Sequence, residues 1–178
     1  MSSCSGRPPS LLPANVCKLV TKYFKCRNVA EKSVKALPGY DGRNYYFRAE
    51  QCDTKCSEFV LKLVNPEHTP WPVAKEINRL MHHIHSKGFT FSTPYPVVST
   101  NGTDFVQLTI GEIINGENSL KNGIEIRDDE DTKYHMWLLT FISGEMFDSV
   151  EKKYLTPSLL TEIGKALATL DKDLQVHL

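Results

Sequence analysis

The sequence predicts an α+β fold, an antiparallel sheet with helices before, within and after its strands. Three observations carry this. Apolar residues recur at helical spacing in three separated stretches. Between those stretches lie runs rich in Val, Ile, Leu, Tyr and Phe, bounded by turn-forming residues. Most consecutive runs are joined by short polar turns rather than helix-length crossovers, which favours antiparallel pairing. The chain has 178 residues, 40% apolar and 24% charged, enough for one sizeable core and too apolar for a disordered chain.

The elements follow in order. Residues 1–10 have no apolar spacing and read as a disordered N-terminus. Pro13 stands where a first helical residue would, and Val16, Leu19, Val20, Tyr23 and Phe24 repeat behind it, so a helix is expected over 13–25. Strands are expected at Ser33–Leu37, Asn44–Glu50 and Glu58–Asn65. The first two are joined by the turn-formers Pro38-Gly39-Tyr40-Asp41-Gly42-Arg43 and the next two by the polar segment 51–57. A second helix over 73–87 carries the stripe Val73, Ile77, Leu80, Met81 and Ile84, and Lys87-Gly88 closes it. Tyr95–Ser99 and Asp104–Ile110 flank Asn101-Gly102, a strong hairpin signal. Residues 111–133, with the acidic run Asp128-Asp129-Glu130-Asp131, read as a loop or insertion. Tyr134–Ile142 is an apolar strand, and Thr156-Pro157 opens a last helix bearing Leu159, Leu160, Ile163, Ala166, Leu167, Leu170 and Leu174.

Charge and cysteine content exclude several functions. Lys plus Arg and Asp plus Glu number 21 each, so there is no positive excess for nucleic acid or an anionic membrane. No apolar run approaches the roughly 20 residues that span a bilayer, and no secretory signal is visible, so a cytoplasmic protein is expected. The five cysteines, at 4, 17, 26, 52 and 56, have no disulfide spacing. Cys52 and Cys56 lack a second ligand pair at zinc spacing and read as reduced thiols, so no metal is expected on the chain. His82, His83 and His85 read as a solvated helix face, and the sequon Asn101-Gly102-Thr103 as a turn.

Two charged residues stand where charge is costly. Lys62 lies inside Phe59-Val60-Leu61-Lys62-Leu63-Val64, where a lysine must snorkel or find an anionic partner. Glu76 falls at the edge of the second helix's apolar stripe, so a helix packed on the sheet could aim it at Lys62. The alternative is a surface lysine and a surface glutamate unrelated to each other. Gly39 and Gly42 allow the close backbone approach that phosphate oxygens need, and Asn44 adds a side-chain donor. Glycine loop, strand lysine and helix glutamate, in that order, form the phosphate-gripping half of a kinase.

Leu37-Pro38-Gly39-Tyr40-Asp41-Gly42-Arg43-Asn44-Tyr45, Glu58–Asn65, Leu138–Gly144 and the helix from Glu162 to Lys172 resemble the aminoglycoside phosphotransferase/choline kinase superfamily. The resemblance implies a kinase-like N-terminal lobe over 11–142, with about five strands and an inserted helix. It implies a hinge and the first helix of an incomplete C-terminal lobe over 143–178. It also implies that Gly39, Asp41, Gly42 and Asn44 cover the nucleotide phosphates, that Lys62 contacts them, and that Glu76 orients Lys62. Leu139, Thr140 and Phe141 would lie in the hinge that reads the purine. The implied reaction transfers the γ-phosphoryl group of GTP (or ATP), with Mg²⁺, to a small amino-acid-like acceptor; in the branch it resembles, this is the 5-hydroxyl of hydroxylysine. Alternatives are a choline, homoserine or fructosamine kinase, or a non-catalytic module derived from the lobe. The superfamily's His-Gly-Asp-x-x-x-x-Asn loop and metal-binding Asp have no match, so the chain is expected to be truncated and inactive alone. An apolar stripe on the last helix is expected to be exposed and prone to aggregation.

Overall fold

The computed structural model describes residues 8–40, 42–50, 57–89, 91–114, 133–144, 154 and 156–175. Helix α1 (Pro13–Phe24) leads to strands β1 (Lys35–Leu37), β2 (Gly42–Arg48) and β3 (Glu58–Val64), then helix α2 (Trp71–Ser86). Strand β4 (Phe105–Thr109), the short helix α3 (Ile110–Ile114), strand β5 (Lys133–Thr140) and helix α4 (Pro157–Gln175) follow. The five strands form one sheet in the order β1-β2-β3-β5-β4, every pair antiparallel.

Period-two alternation gives the sheet two faces. On one, Tyr45 and Phe47 of β2, Phe59, Leu61 and Leu63 of β3, and Tyr134, Met136 and Leu138 of β5 pack with Val16, Leu19, Val20 and Phe24 of α1. Each large apolar side chain buried there contributes roughly 1.5–3 kcal/mol, so this layer holds the molecule together. The other face carries α2. Ala74 packs with Val64, Phe105 and Trp137, and Trp137 Nε1 donates to Asn78 Oδ1 at 2.8 Å.

Several boundaries differ from the sequence expectation. Order begins before residue 11: Pro8 is buried and its carbonyl accepts from Arg43 Nε at 3.1 Å, while Leu11 N donates to the Tyr45 hydroxyl at 2.7 Å. Tyr95–Ser99 is not a ladder strand. It makes a single bridge, Pro96 to Leu139, because Pro94 and Pro96 have no N–H to donate. The Asn101-Gly102 turn does form, with Gly102 at φ +77° and Ser99 N donating to the Thr103 carbonyl at 2.7 Å. The 111–133 segment is not wholly loop, since α3 opens it and buries Ile113; residues 115–132 lie outside the described residues. The last strand ends at Thr140 rather than Ile142.

The second helix is rolled relative to its apolar stripe. Ala74 and Asn78 are its buried positions, whereas Val73, Ile77 and Leu80 are exposed. Trp71 fixes the roll, its ring lying 4.8 Å from Phe105 and 6.2 Å from His135. The histidines do not form a solvated face. His82 pairs with Asp104 at 2.9 Å and reaches the Tyr95 hydroxyl at 3.1 Å, His83 meets Asp173 at 2.6 Å, and the His85 ring lies on Tyr95.

Candidate functional site

Helix α2 packs over β4, β5 and the Val64 end of β3, and the rest of the β2–β3 side of this face stays open. Register decides what lies there: Asn44 pairs with Lys62 and Lys62 with Trp137, while Tyr46 pairs with Val60 and Val60 with Leu139. The open floor therefore has a polar row, Asn44 and Lys62, beside a half-buried apolar row of Tyr46, Val60 and Leu139. Rows two residues apart along a strand are separated by about 6.6–6.8 Å.

The loop between β1 and β2 closes the polar end. A Cβ on Gly39 would stand 2.7 Å from Asn44 Nδ2 and 2.8 Å from the Gly42 carbonyl, and one on Gly42 would stand 2.6 Å from the Leu63 carbonyl. Both positions are fixed as glycine by close approach. Asn44 Nδ2 donates to the Pro38 carbonyl at 3.0 Å, so this side chain anchors the base of the loop. Tyr40, 96% exposed, stands at its tip; Asp41 lies outside the described residues.

Lys62 is exposed on this floor, in the second row from the loop, and among the described residues no hydrogen bond or salt bridge engages it. Glu76 does not orient it: no ion pair joins the two, and Glu76 instead holds Arg79 at 2.6 Å on exposed surface. The roll of α2 explains this correction. Position 76 is about 200° around the helix from buried Ala74, so it faces away from the sheet. The α2 residues above the sheet are Ala74 and Asn78, and the buried Asn78 Nδ2 has no hydrogen-bond partner among the described residues.

At the other end of the floor, β5 ends at Thr140 and runs on into residues 141–144. Phe141 N donates to the Glu58 carbonyl at 3.0 Å, and the Phe141 ring stands edge-on to Tyr46 at 4.9 Å. Thr140 faces elsewhere: its N–H donates to the Tyr95 carbonyl at 2.9 Å and its hydroxyl accepts from Tyr95 N at 2.9 Å. Thr140 thus ties the end of β5 to Tyr95. Beside Phe141, Tyr46 Oη donates to Glu58 Oε1 at 2.6 Å, and Arg48 Nε lies 2.9 Å from that hydroxyl and 3.1 Å from the carboxylate. The Tyr46 hydroxyl, with the Arg48 guanidinium, holds the Glu58 carboxyl below its ordinary pKa. Tyr46, Val60, Arg48 and Glu58 were absent from the residues the sequence nominated. The only signal for them was their even spacing from Asn44 and Lys62 along two strands.

A cation unpaired among the described residues, between a glycine loop and an apolar platform, suits an elongated ligand with an anionic end and a planar end. The chain is similar to known proteins to different degrees. No family model matches the chain. The hydroxylysine kinase of Xenopus laevis is 26% identical over 174 residues, covering 97% of this chain and 40% of the relative. That of Danio rerio is 24% identical over 164 residues, 92% and 39% of the two chains. That of Bos taurus is 26% identical over 170 residues, 94% and 39%. The chain thus spans about two fifths of the length of these curated relatives. Among solved structures, amicoumacin kinase hAmiN in complex with AMP-PNP, Ca²⁺ and Ami superposes with a TM-score of 0.51 at 13% identity, covering 73% of this chain and 31% of that one.

Sequence and fold both resemble the aminoglycoside phosphotransferase-like superfamily. The five-stranded antiparallel sheet, with α2 inserted after the third strand, is consistent with the N-terminal lobe of such a kinase. Among the described residues no group of three or more His, Cys, Asp or Glu could hold a metal ion.

Proposed function

We propose that this chain is the nucleotide-holding lobe of a small-molecule kinase of the hydroxylysine kinase type, which moves the γ-phosphoryl group of GTP to the 5-hydroxyl of hydroxylysine. The observation that carries this is Lys62, a cation without an anionic partner among the described residues, placed between the Gly39–Gly42 loop and the Tyr46, Val60 and Leu139 platform. Support for the acceptor comes from the names of the relatives alone.

In this reading Lys62 neutralises the α/β-phosphates, and the loop, tied down through Asn44 and Pro38, lets backbone N–H groups approach them. Tyr46, Val60 and Leu139, side by side in one row, seat the base. During transfer the acceptor oxygen bonds to the γ-phosphorus as the bond to the β–γ bridging oxygen breaks, and the diphosphate leaves with the added charge near Lys62. Mg²⁺, when bound, would offset the charge that develops on the phosphates, and none of the described residues is assigned to hold it. The proton acceptor for the hydroxyl is not assigned to these residues, because no His-Gly-Asp sequence occurs in them.

Thermal unfolding with millimolar GTP or ATP and Mg²⁺ tests the nucleotide role. Ligand at tenfold its Kd stabilises by about 1.4 kcal/mol, a rise of a few degrees for a protein of this size. Lys62→Met should abolish that rise while leaving the unliganded midpoint in place. A wild-type midpoint indifferent to every nucleotide would overturn the reading. Hydroxylysine-dependent GDP formation, absent with lysine, tests the acceptor in a chain of the relatives' full length; the 178 residues alone should form none.

A further inference from the structure

The purine end of the floor has charged chemistry that the proposed reaction does not use. Arg48 and Glu58 are register partners, and both project on the Lys62 face. Arg48 Nη2 lies 3.0 Å from Glu58 Oε1, its Nε contacts the same carboxylate, and Nε also donates to the Tyr46 hydroxyl. The Arg48 backbone N–H is held by Ser33 Oγ at 2.8 Å, and the Glu58 backbone carbonyl by Phe141 N at 3.0 Å. Both ends of the pair are thus tied to fixed structure, one beside the short turn of 3₁₀ helix at Glu31–Ser33 and one at the hinge. Two thirds of the Arg48 side chain, 66%, remains exposed, so its other donors face outward.

Distance along the strands gives this pair a place relative to a ligand. Lys62, Val60 and Glu58 are successive same-face positions, so the Glu58 row lies about 13 Å from the Lys62 row. That matches the reach from the β-phosphate of a nucleoside triphosphate to the far edge of its purine. With phosphates on Lys62 and the ring laid across the Tyr46, Val60 and Leu139 row, the six-position edge of the base arrives at Arg48. Guanine offers two acceptors there, O6 and N7, whereas adenine offers N7 beside an N6 amino donor. A guanidinium has donors only, in a planar fork that fits the first pair and opposes the second.

We propose that Arg48, oriented by Tyr46 and Glu58, selects guanine over adenine nucleotides by donating to O6 and N7 of the base. This rests on the nucleotide-lobe reading above and adds the element that sets donor specificity. Arg48 is the reading residue; Tyr46 and Glu58 position it.

Binding of GTP, ITP and ATP to the 178-residue protein, followed by tryptophan fluorescence, separates the possibilities. Inosine keeps O6 and N7 but lacks the 2-amino group, so an Arg48 reader binds ITP as well as GTP and both better than ATP. Arg48→Met should weaken GTP and ITP together by about tenfold and leave ATP within about twofold. Tyr46→Phe keeps the ring and should lose part of the same preference, and Arg48→Lys should not restore it. Matching unliganded midpoints show that the variants remain folded. ITP behaving like ATP, or Arg48→Met changing all three nucleotides equally, overturns the assignment while leaving the lobe reading intact. No triphosphate binding, or binding indifferent to Lys62→Met, overturns both.

Discussion

A methyl group at position 42 would meet the Leu63 carbonyl at 2.6 Å, and that carbonyl belongs to the neighbouring strand's backbone, which cannot rotate away. Gly42→Ala should therefore push β2 from β3 where the β1–β2 loop ends. The expected loss is about 1–3 kcal/mol in urea unfolding, the usual cost of overpacking. His135 is a second residue whose surroundings dictate behaviour. It is fully buried beside Phe105, Trp137 and Trp71, with Nε2 facing the Gln107 amide at 3.0 Å. Burial pushes its pKa down, and the nearby Thr69 backbone opposes this only in part. A lowered folded pKa means the unfolded chain takes up the proton first as pH falls. Stability from this group is complete above the ordinary histidine range and is lost as pH drops below about 6.5, by up to about 1.4 kcal/mol per pH unit. The thermal midpoint should be flat from pH 8 to 7 and fall towards pH 5, and His135→Phe should reduce that fall.

At the scale of elements, α2 and α4 show how packing overrules pattern. The α2 stripe of Val73, Ile77 and Leu80 looked like its buried face, yet Ile77 is 41% exposed. The Trp71 and Asn78 contacts turned the helix, because an indole over Phe105 and a hydrogen bond to Trp137 Nε1 outweigh a few half-exposed aliphatic groups. That roll is what separates Glu76 from Lys62. Helix α4 begins as its sequence indicates, with Thr156 Oγ1 accepting from Leu159 N at 3.2 Å, but buries no residue. Its polar anchor to α2 is Asp173, which meets His83 at 2.6 Å and Lys87 at 3.1 Å. Burial alone would raise the Asp173 pKa; the Lys87 and His83 hydrogen bonds prevail and hold it below the usual carboxylate range. Asp173→Asn should loosen α4 without disturbing the sheet. In hydrogen exchange the α4 amides should lose protection while those of β3 and β5 keep it, and equal loss in both would refute this division.

For the whole molecule, the two faces of the sheet have different tasks. The α1 face is closed and apolar and supplies stability, whereas the α2 face is half covered and leaves the candidate site open. Exposed apolar side chains lie on two helices, Val73, Ile77 and Leu80 of α2 and Leu159, Leu160 and Leu167 of α4, with Leu167 62% exposed. Such surface promotes self-association. Leu167→Glu should lower concentration-dependent light scattering and leave the thermal midpoint within about 1 °C, since surface changes away from special features shift stability by no more than about 0.5 kcal/mol. A midpoint that fell by several degrees would show that this side is packed.

The three long helices, the strands of the sheet, the glycine turn and the strand lysine were legible in the sequence, because backbone propensity, turn chemistry and period-two burial are local properties. The near relation of Asn44 to Lys62 was half legible, since a hairpin fixes register once its ends are known. The partner of Glu76, the roll of α2, the bracing of Thr140 by Tyr95, and the Tyr46, Arg48 and Glu58 cluster were not. Each depends on which side chains from distant segments meet, and one strand's alternation cannot say which face its neighbour will share. The sequence determined that a lysine would stand on a strand behind a glycine turn. The tertiary structure decided what surrounds it, because the aromatic contacts of Trp71 and Trp137 set where α2 ends and where the open floor begins.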